Sequence, residues 1–173
     1  IVDSTVLAQS VGDAAWANII GSHETAIRHI VGSHGGTVVK LLGDGSMLAF
    51  ESARAAVRAA VEIQRACDAE PYAVRIGIHT GEVIRTADDL LGLTVNKAAR
   101  VAAAAAAGGI MISSTTRDLV GQMEGVQIGE PKIVLLKGLS DAHQITPVEW
   151  KGPTPTDTPT EVLAPPTSTR AGS

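Results

Sequence analysis

Asp44 stands between Gly43 and Gly45, after the run Val38-Val39-Lys40-Leu41-Leu42 and before Met47-Leu48-Ala49-Phe50. Two short apolar runs around a Gly-Asp-Gly turn predict a β-hairpin with the carboxylate at its tip. An aspartate there is an ordinary turn residue. It is also a hard oxygen donor with close backbone approach on both sides, suited to a cation such as Mg²⁺. Lys40 interrupts the first apolar run and reads as a solvent-facing lysine of that strand. Asn96 and Arg100 are spaced i, i+4 and share one face of a helix that Val95, Ala98, Ala99 and Val101 otherwise make apolar. Lys137 precedes Gly138 in a turn between two apolar runs, where a lysine is ordinarily solvated.

These side chains need a frame. Trp16, Ile19, Ile20, His23, Ile27, Ile30 and Val31 recur at helical spacing, predicting a helix over 13–31 that Asp13 caps and Gly35-Gly36 ends. The hairpin follows, then a helix over 53–68 capped by Ser52, with Val57, Ala60, Val61 and Gln64 along one side. Val74, Ile76 and Ile78 alternate with Arg75, Gly77 and His79, which predicts a half-buried strand over 73–83. Gly92 precedes a helix over 93–106, and Ile110-Met111-Ile112 is a short buried strand. A short helix runs from Ser113/Ser114 to Val120, and strands over 132–137 and 142–149 meet at Gly138. Runs of helices and hairpins in this order predict an α+β sandwich with a mostly antiparallel sheet.

Composition narrows the function classes. The chain has 173 residues and a net charge of −4, which argues against a nucleic-acid binder while leaving room for a nucleotide site. Aromatic residues number only four (Trp16, Phe50, Tyr72, Trp150), so the core is aliphatic. The single cysteine, Cys67, permits no intrachain disulfide and reads as a buried, inert thiol. No apolar run is long enough to span a membrane and no secretory signal is visible, so a cytoplasmic location without membrane contact is expected for this segment. Five of the eight prolines fall in 151–173 among many Thr and Ser. The expected organisation is a domain over 1–150 followed by a disordered tail or linker over 151–173.

Taken together the motifs resemble class III adenylyl and guanylyl cyclases, bacterial type. Lys40-Leu-Leu-Gly-Asp44-Gly resembles that family's lysine-x-x-Gly-Asp-Gly segment. Val74-Arg-Ile-Gly-Ile-His-Thr-Gly81-Glu looks like its following strand, and Asp89-Leu-Leu-Gly92-Leu-Thr-Val-Asn96-Lys-Ala-Ala-Arg100 like its Asp-x-x-Gly-x-x-Val-Asn-x-Ala-x-Arg signature. Leu136-Lys137-Gly138 is similar to its phosphate-binding turn, and Ile1-Val-Asp-Ser-Thr5 to the end of its phosphate loop. The resemblance covers residues 1 to about 150 and implies a ferredoxin-like βαββαβ-based sandwich.

The resemblance also implies roles. The reaction turns a nucleoside triphosphate into a 3′,5′-cyclic nucleotide and pyrophosphate with two divalent ions, Mg²⁺ or Mn²⁺. Asp44 matches the second metal aspartate, and the backbone carbonyl of Ile1 matches a metal ligand. The loop 2–5, with Ser4 and Thr5, offers amides to the β- and γ-phosphates. Lys40 and Asp89 match the pair that reads the base. A lysine only donates and an ionised aspartate only accepts, which suits the N1 and 6-amino edge of adenine and opposes guanine. The guanylyl branch typically has Glu and Cys or similar there, so ATP is the expected substrate. Asn96 orients the ribose, Arg100 stabilises charge developing on the α-phosphate, and Lys137 holds the terminal phosphates. One chain carrying both sets of residues implies a homodimer with two symmetric sites.

The sequence departs from the pattern at its start. The first metal aspartate of the family falls just before Ile1, as does the strand leading into it, so further residues upstream are expected and the segment alone is expected to be metal-deficient. Asp3, two residues on, is expected not to substitute, because extended spacing moves its side chain by about 7 Å. Glu82 stands where some members have a phosphate-binding arginine. The alternatives are a catalytically inactive nucleotide-binding or dimerisation module of a signalling protein and, further off, a guanylyl cyclase.

Overall fold

The computed structural model describes residues 1–87, 89–139 and 141–151. The Pro- and Thr-rich segment read as a tail lies, from 152 on, outside the described residues. The order is α1 (Ser4–Val11), α2 (Asp13–Ser33), the hairpin β1 (Thr37–Leu41) and β2 (Ser46–Ala49), α3 (Ala53–Cys67) and β3 (Ile76–Ile78). There follow β4 (Ile84–Arg85), β5 (Leu90–Leu91), α4 (Leu93–Ala103), β6 (Ile110–Ser113) and α5 (Ser114–Val120). The described chain ends in β7 (Gln127–Ile128), β8 (Lys132–Leu135) and β9 (Ala142–Glu149). This is the predicted α+β class.

The largest sheet has the order β3-β6-β9-β7, with β8 also on β9. Every pairing in it is antiparallel except β3 with β6, which is parallel because α4 forms the crossover between them. The hairpins β1–β2 and β4–β5 form two further two-stranded sheets. A core of Val57, Ile110, Ile112 and Val120, each no more than 1% exposed, joins α3, β6 and α5. Burying such a side chain contributes about 1.5–3 kcal/mol. A second cluster, with Ile27, Ile30, Val31 and Ile63, carries Val38, Leu48 and Phe50 of the hairpin against α2 and α3.

Several expectations are corrected. Asp13 does not cap α2: the cap position is Gly12, and Asp13 sits in the first turn. The strand predicted over 73–83 shrinks to Ile76–Ile78, since beyond Ile78 the chain breaks away at Thr80 and Gly81 toward β4. The helix predicted to 106 ends at Ala103, in a six-alanine run after which Gly109 N–H donates to the Ala106 carbonyl and Gly108 N–H to the Val74 carbonyl. Residues 2–5 are not extended: Val2 and Asp3 form a turn, Asp3 is left-handed at φ 52°, and α1 starts at Ser4. The strand-spacing argument about Asp3 therefore does not apply. Helix α1, the β4–β5 hairpin and β7 were not anticipated; each is too short or too polar to show a clear period.

Candidate active site

Asp44 sits at the tip of the first hairpin, where Leu42 N–H donates to the Gly45 carbonyl (2.7 Å) and Gly43 adopts φ 72°. Its carboxylate accepts a hydrogen bond from the Ser4 hydroxyl, and its carbonyl one from the Ile1 nitrogen. Ser4 opens α1, which has no side-chain cap, so its first-turn amides face outward. Residues 1–6, Asp44 and Arg75 surround an open pocket of about 350 Å³. The structure thus brings Ile1, Ser4, Thr5 and Asp44 together around one pocket. It adds Asp3 and Arg75. Arg75 carries a sequence signal, a charge alternating with buried Val74 and partly buried Ile76, but no local pattern ties it to this pocket.

Lys40 and Asp89 form an ion pair, with Lys40 Nζ donating to the carboxylate. A β-bulge makes this possible. Val38 pairs with Leu48 but Lys40 pairs with Met47, so Val39 is the extra residue. Without it, Lys40 would share the face of Val38, which packs into the core. The bulge turns Lys40 to the other face. Asp89 is fixed from its own side: its second oxygen accepts from Leu90 N–H (2.9 Å), and its N–H donates to Thr86 Oγ1 (3.1 Å). The Lys40 hydrogen bond, then the Leu90 amide, hold the Asp89 carboxyl below its usual range. Both side chains keep access to solvent, 38% and 26% exposed, so a ligand edge can reach them.

Asn96 and Arg100 are exposed on α4. Helix α4 lies tight on β3 because Gly77 has no side chain: a Cβ there would come within 2.1 Å of the Ala102 nitrogen. Thr94 Oγ1 donates to the Glu82 carbonyl (2.6 Å) and pins its first turn. Val101, 0% exposed, packs with Leu136 and Ile145 and so ties the helix to the turn bearing Lys137. Gly138 (φ 80°) closes that turn, and a Cβ on it would lie 3.9 Å from an Arg100 guanidinium nitrogen. Arg100 and the Lys137-Gly138 turn are therefore neighbours. Lys137 itself is exposed.

Under β3 runs a polar chain. His79 Nδ1 is 2.7 Å from Ser113 Oγ, which caps α5 and is 3.0 Å from Thr116 Oγ1. Burial lowers the His79 pKa, with the positive charge of Lys97 adding to it. On the far side of the fold His23 Nδ1 is 3.1 Å from Tyr72 Oη, and burial lowers this histidine too. Cys67 beside it is buried, and burial pushes its thiol up, so it stays a thiol as anticipated.

For a metal, the fitting donors are the Asp44 carboxylate and the Ile1 carbonyl, hard oxygen ligands of the kind that Mg²⁺ and Mn²⁺ prefer. Asp3 lines the same pocket. Among the described residues no three His, Cys, Asp or Glu side chains gather to hold an ion by themselves. The donors fit in kind and supply part of a coordination shell.

The domain is an α+β fold with a hairpin-tip aspartate beside an amide-bearing loop, a Lys–Asp pair and an Asn/Arg helix. The chain matches the model of the adenylate and guanylate cyclase catalytic domain over residues 1–147 and belongs to that family. It is 34% identical over 118 residues to an uncharacterized protein of Mycobacterium tuberculosis, covering 67% of this chain and 31% of the relative. It is 36% identical over 99 residues to "Putative adenylate cyclase 3" of Rhizobium meliloti, covering 53% of this chain and 17% of that protein. The chain thus spans about a third or less of these relatives. Among solved structures it is similar to the guanylyl cyclase Cya2, with TM-score 0.75, 25% identity and 90% of each chain covered. It shares its fold with the adenylyl cyclase CyaB from P. aeruginosa, with TM-score 0.67, 24% identity, and 86% and 89% of the two chains covered. No helix among the described residues is long and apolar enough to cross a membrane.

Proposed function

We propose that this domain is an adenylyl cyclase that converts ATP to 3′,5′-cyclic AMP and pyrophosphate at a site shared by two copies of the chain. The Lys40–Asp89 pair carries the reading. It presents one obligate donor and one obligate acceptor, matching adenine N1 and its 6-amino group and mismatching guanine at both. In the reaction the 3′-oxygen forms a bond to the α-phosphorus. The bond from that phosphorus to the α–β bridging oxygen breaks, its electron pair leaves with pyrophosphate, and the 3′-hydroxyl proton passes to solvent.

The residues divide this work. Lys40 and Asp89 orient the base, and Asn96 holds the ribose so that the 3′-hydroxyl lies in line. Arg100 places a planar cation where charge develops on the α-phosphate. Lys137 and the amides of residues 2–5 take the terminal phosphates. Mg²⁺ or Mn²⁺, held by Asp44 and the Ile1 carbonyl, would supply Lewis-acid charge neutralisation.

Two observations support assembly from two copies. Among the described residues no hydrogen bond or ion pair joins the Asp44 pocket to Asn96, Arg100 or Lys137. Leu93 (83%), Ile133 (77%), Leu135 (78%) and Ile84 (66%) are large apolar residues left exposed on α4, β8 and β4, and a second copy would cover such residues.

The test is product formation from ATP and from GTP with Mg²⁺ or Mn²⁺, using the full-length gene product and its Asp44→Ala variant. Cyclic AMP well above the variant's level is expected. No product above that level overturns the enzyme reading and leaves a nucleotide-binding module. A preference for GTP replaces adenylyl with guanylyl.

A further inference from the structure

Thr86 has no role in the reaction proposed above, yet the placement of Asp89 depends on it. Strands β4 and β5 pair only at Ile84 with Leu91 and at Arg85 with Leu90. A two-stranded ribbon this short has little stability of its own in water. Packing adds little, because of these four residues only Leu90 (7% exposed) is buried. The turn that carries Asp89 is therefore held by hydrogen bonds, and Thr86 supplies three of them. Its N–H donates to the Asp89 carbonyl (2.9 Å) and continues the ladder by one step. Its hydroxyl donates to that carbonyl (3.1 Å) and accepts from the Asp89 N–H (3.1 Å). One hydroxyl can do both, having one donor and two acceptor sites. Both backbone groups of Asp89 thus end on Thr86, which is itself exposed and fills no core position. A hydroxyl bonded to turn backbone is ordinary by itself. This one holds a residue whose carboxylate faces a ligand.

We infer that Thr86 is a positioning residue for base selection: by clamping the Asp89 backbone it keeps that carboxylate where it takes a 6-amino group and rejects a 6-oxo group on the purine. The inference rests on the reading of Lys40 and Asp89 as the base-reading pair. The Asp89 carboxylate already accepts from Lys40 Nζ and from Leu90 N–H (2.9 Å). A carboxylate has about four acceptor positions, so a third donor finds room, in the directions that the first two leave open. Hydrogen bonds weaken steeply as they bend, so that direction must be kept. Released from Thr86, Asp89 swings. It then accepts less well from a 6-amino group, and it turns away from the 6-oxygen of guanine. Both changes erode the preference between bases more than they erode binding of the ribose and phosphates, which other residues hold.

The test uses the full-length gene product, wild type against Thr86→Val, Thr86→Ala and Thr86→Ser, with Lys40→Met alongside. Affinities for ATP, GTP and purine riboside triphosphate, which keeps N1 but lacks the 6-amino group, are measured by calorimetric titration in Mg²⁺ buffer. Circular dichroism checks that each variant is folded. Thr86→Val is expected to weaken ATP about fivefold, in the range of one hydrogen bond, and the other two nucleotides by less than about twofold. Thr86→Ala should behave alike. Thr86→Ser keeps the hydroxyl and should stay within about twofold of the wild-type ratio of ATP to GTP affinity. An equal loss for all three nucleotides in Thr86→Val means that the hydroxyl only supports the fold, and it overturns the inference. A ratio unchanged in Thr86→Val but lowered in Lys40→Met also overturns it, and leaves base reading by Lys40 and Asp89 standing. A ratio unchanged in both variants sinks the base-reading pair and the inference with it.

Discussion

Lys40 and Asp89 lie 49 residues apart in the chain and meet as an ion pair on the face of β1 opposite the hairpin's core contacts. The pair is positioned from both ends, by the bulge at Val39 and by the Thr86 and Leu90 contacts of Asp89. On the proposed function, a base edge entering there meets preset partners.

Replacing Lys40 by Met removes the donor and lets the Asp89 carboxyl return toward its ordinary range. The ratio of kcat/KM for ATP over GTP is expected to fall at least about tenfold, because the discrimination comes from partners left unmatched. The sign of the pH effect follows from the lowered folded pKa. Asp89 stays ionised, and the pair intact, above the ordinary carboxylate value, and the contribution is lost only as pH falls through the lower folded value. In wild type, selectivity therefore holds steady from neutral pH down to about 5, as parallel ATP and GTP assays would record. A ratio unchanged in Lys40→Met would remove the pair from base reading.

Gly77→Ala tests how α4 is seated. The added Cβ would lie 2.1 Å from the Ala102 nitrogen and 2.4 Å from its Cα, and backbone cannot yield as a side chain tip does. Helix and strand must separate, at a cost of about 3 kcal/mol. Urea unfolding should show the loss, and activity should fall with it as Asn96 and Arg100 shift. A variant as stable as wild type would mean that α4 rides more loosely on β3.

Much of this was legible in the sequence, for physical reasons that also mark where legibility stops. The hairpin around Asp44 and helices α2, α3 and α4 follow from apolar period and glycine position. Gln64, placed by that period on the apolar side of α3, is buried because it donates to Val74 and Gly109. Lys40 reads in the sequence as a solvent-facing lysine, although a regular strand would put it on the face of Val38. A one-residue bulge leaves no mark in composition. Strand spacing misplaces Asp3, which adopts a left-handed turn beside Ser4, whose contact with Asp44 is long-range. Arg75 reaches the pocket only through strand placement, which no local pattern encodes.

One buried and one half-buried histidine make stability depend on pH. Burial lowers the pKa of His23, held against Tyr72, and of His79, held on Ser113. The unfolded chain then binds protons more readily than the folded one near pH 6.5. Stability is fully present above that value and is lost as pH falls through it toward the lower folded values. The urea midpoint should be level from pH 8 to 7 and decline from about 6.5 to 5. His23→Gln should flatten part of that decline. A wild-type midpoint that does not move over this range contradicts the reading.

The last prediction concerns how the site is shared. Asp44 is bonded to Ser4 and Ile1, while Arg100 lies beside Gly138 on a different part of the chain. If each site takes Asp44 from one copy and Arg100 from the other, each single variant loses both its sites. Asp44→Ala and Arg100→Ala should each lower kcat by about 10²–10³. Mixed in equal amounts and allowed to exchange, about half of the dimers carry one of each variant, and one of the two sites in such a dimer holds both native residues. The mixture should recover about a quarter of wild-type activity, measured as cyclic AMP formed against the mixing ratio and greatest at equal parts. A mixture no more active than its components would place Asp44 and Arg100 in the same copy's site, and the exposed apolar residues of α4, β8 and β4 would then need another explanation.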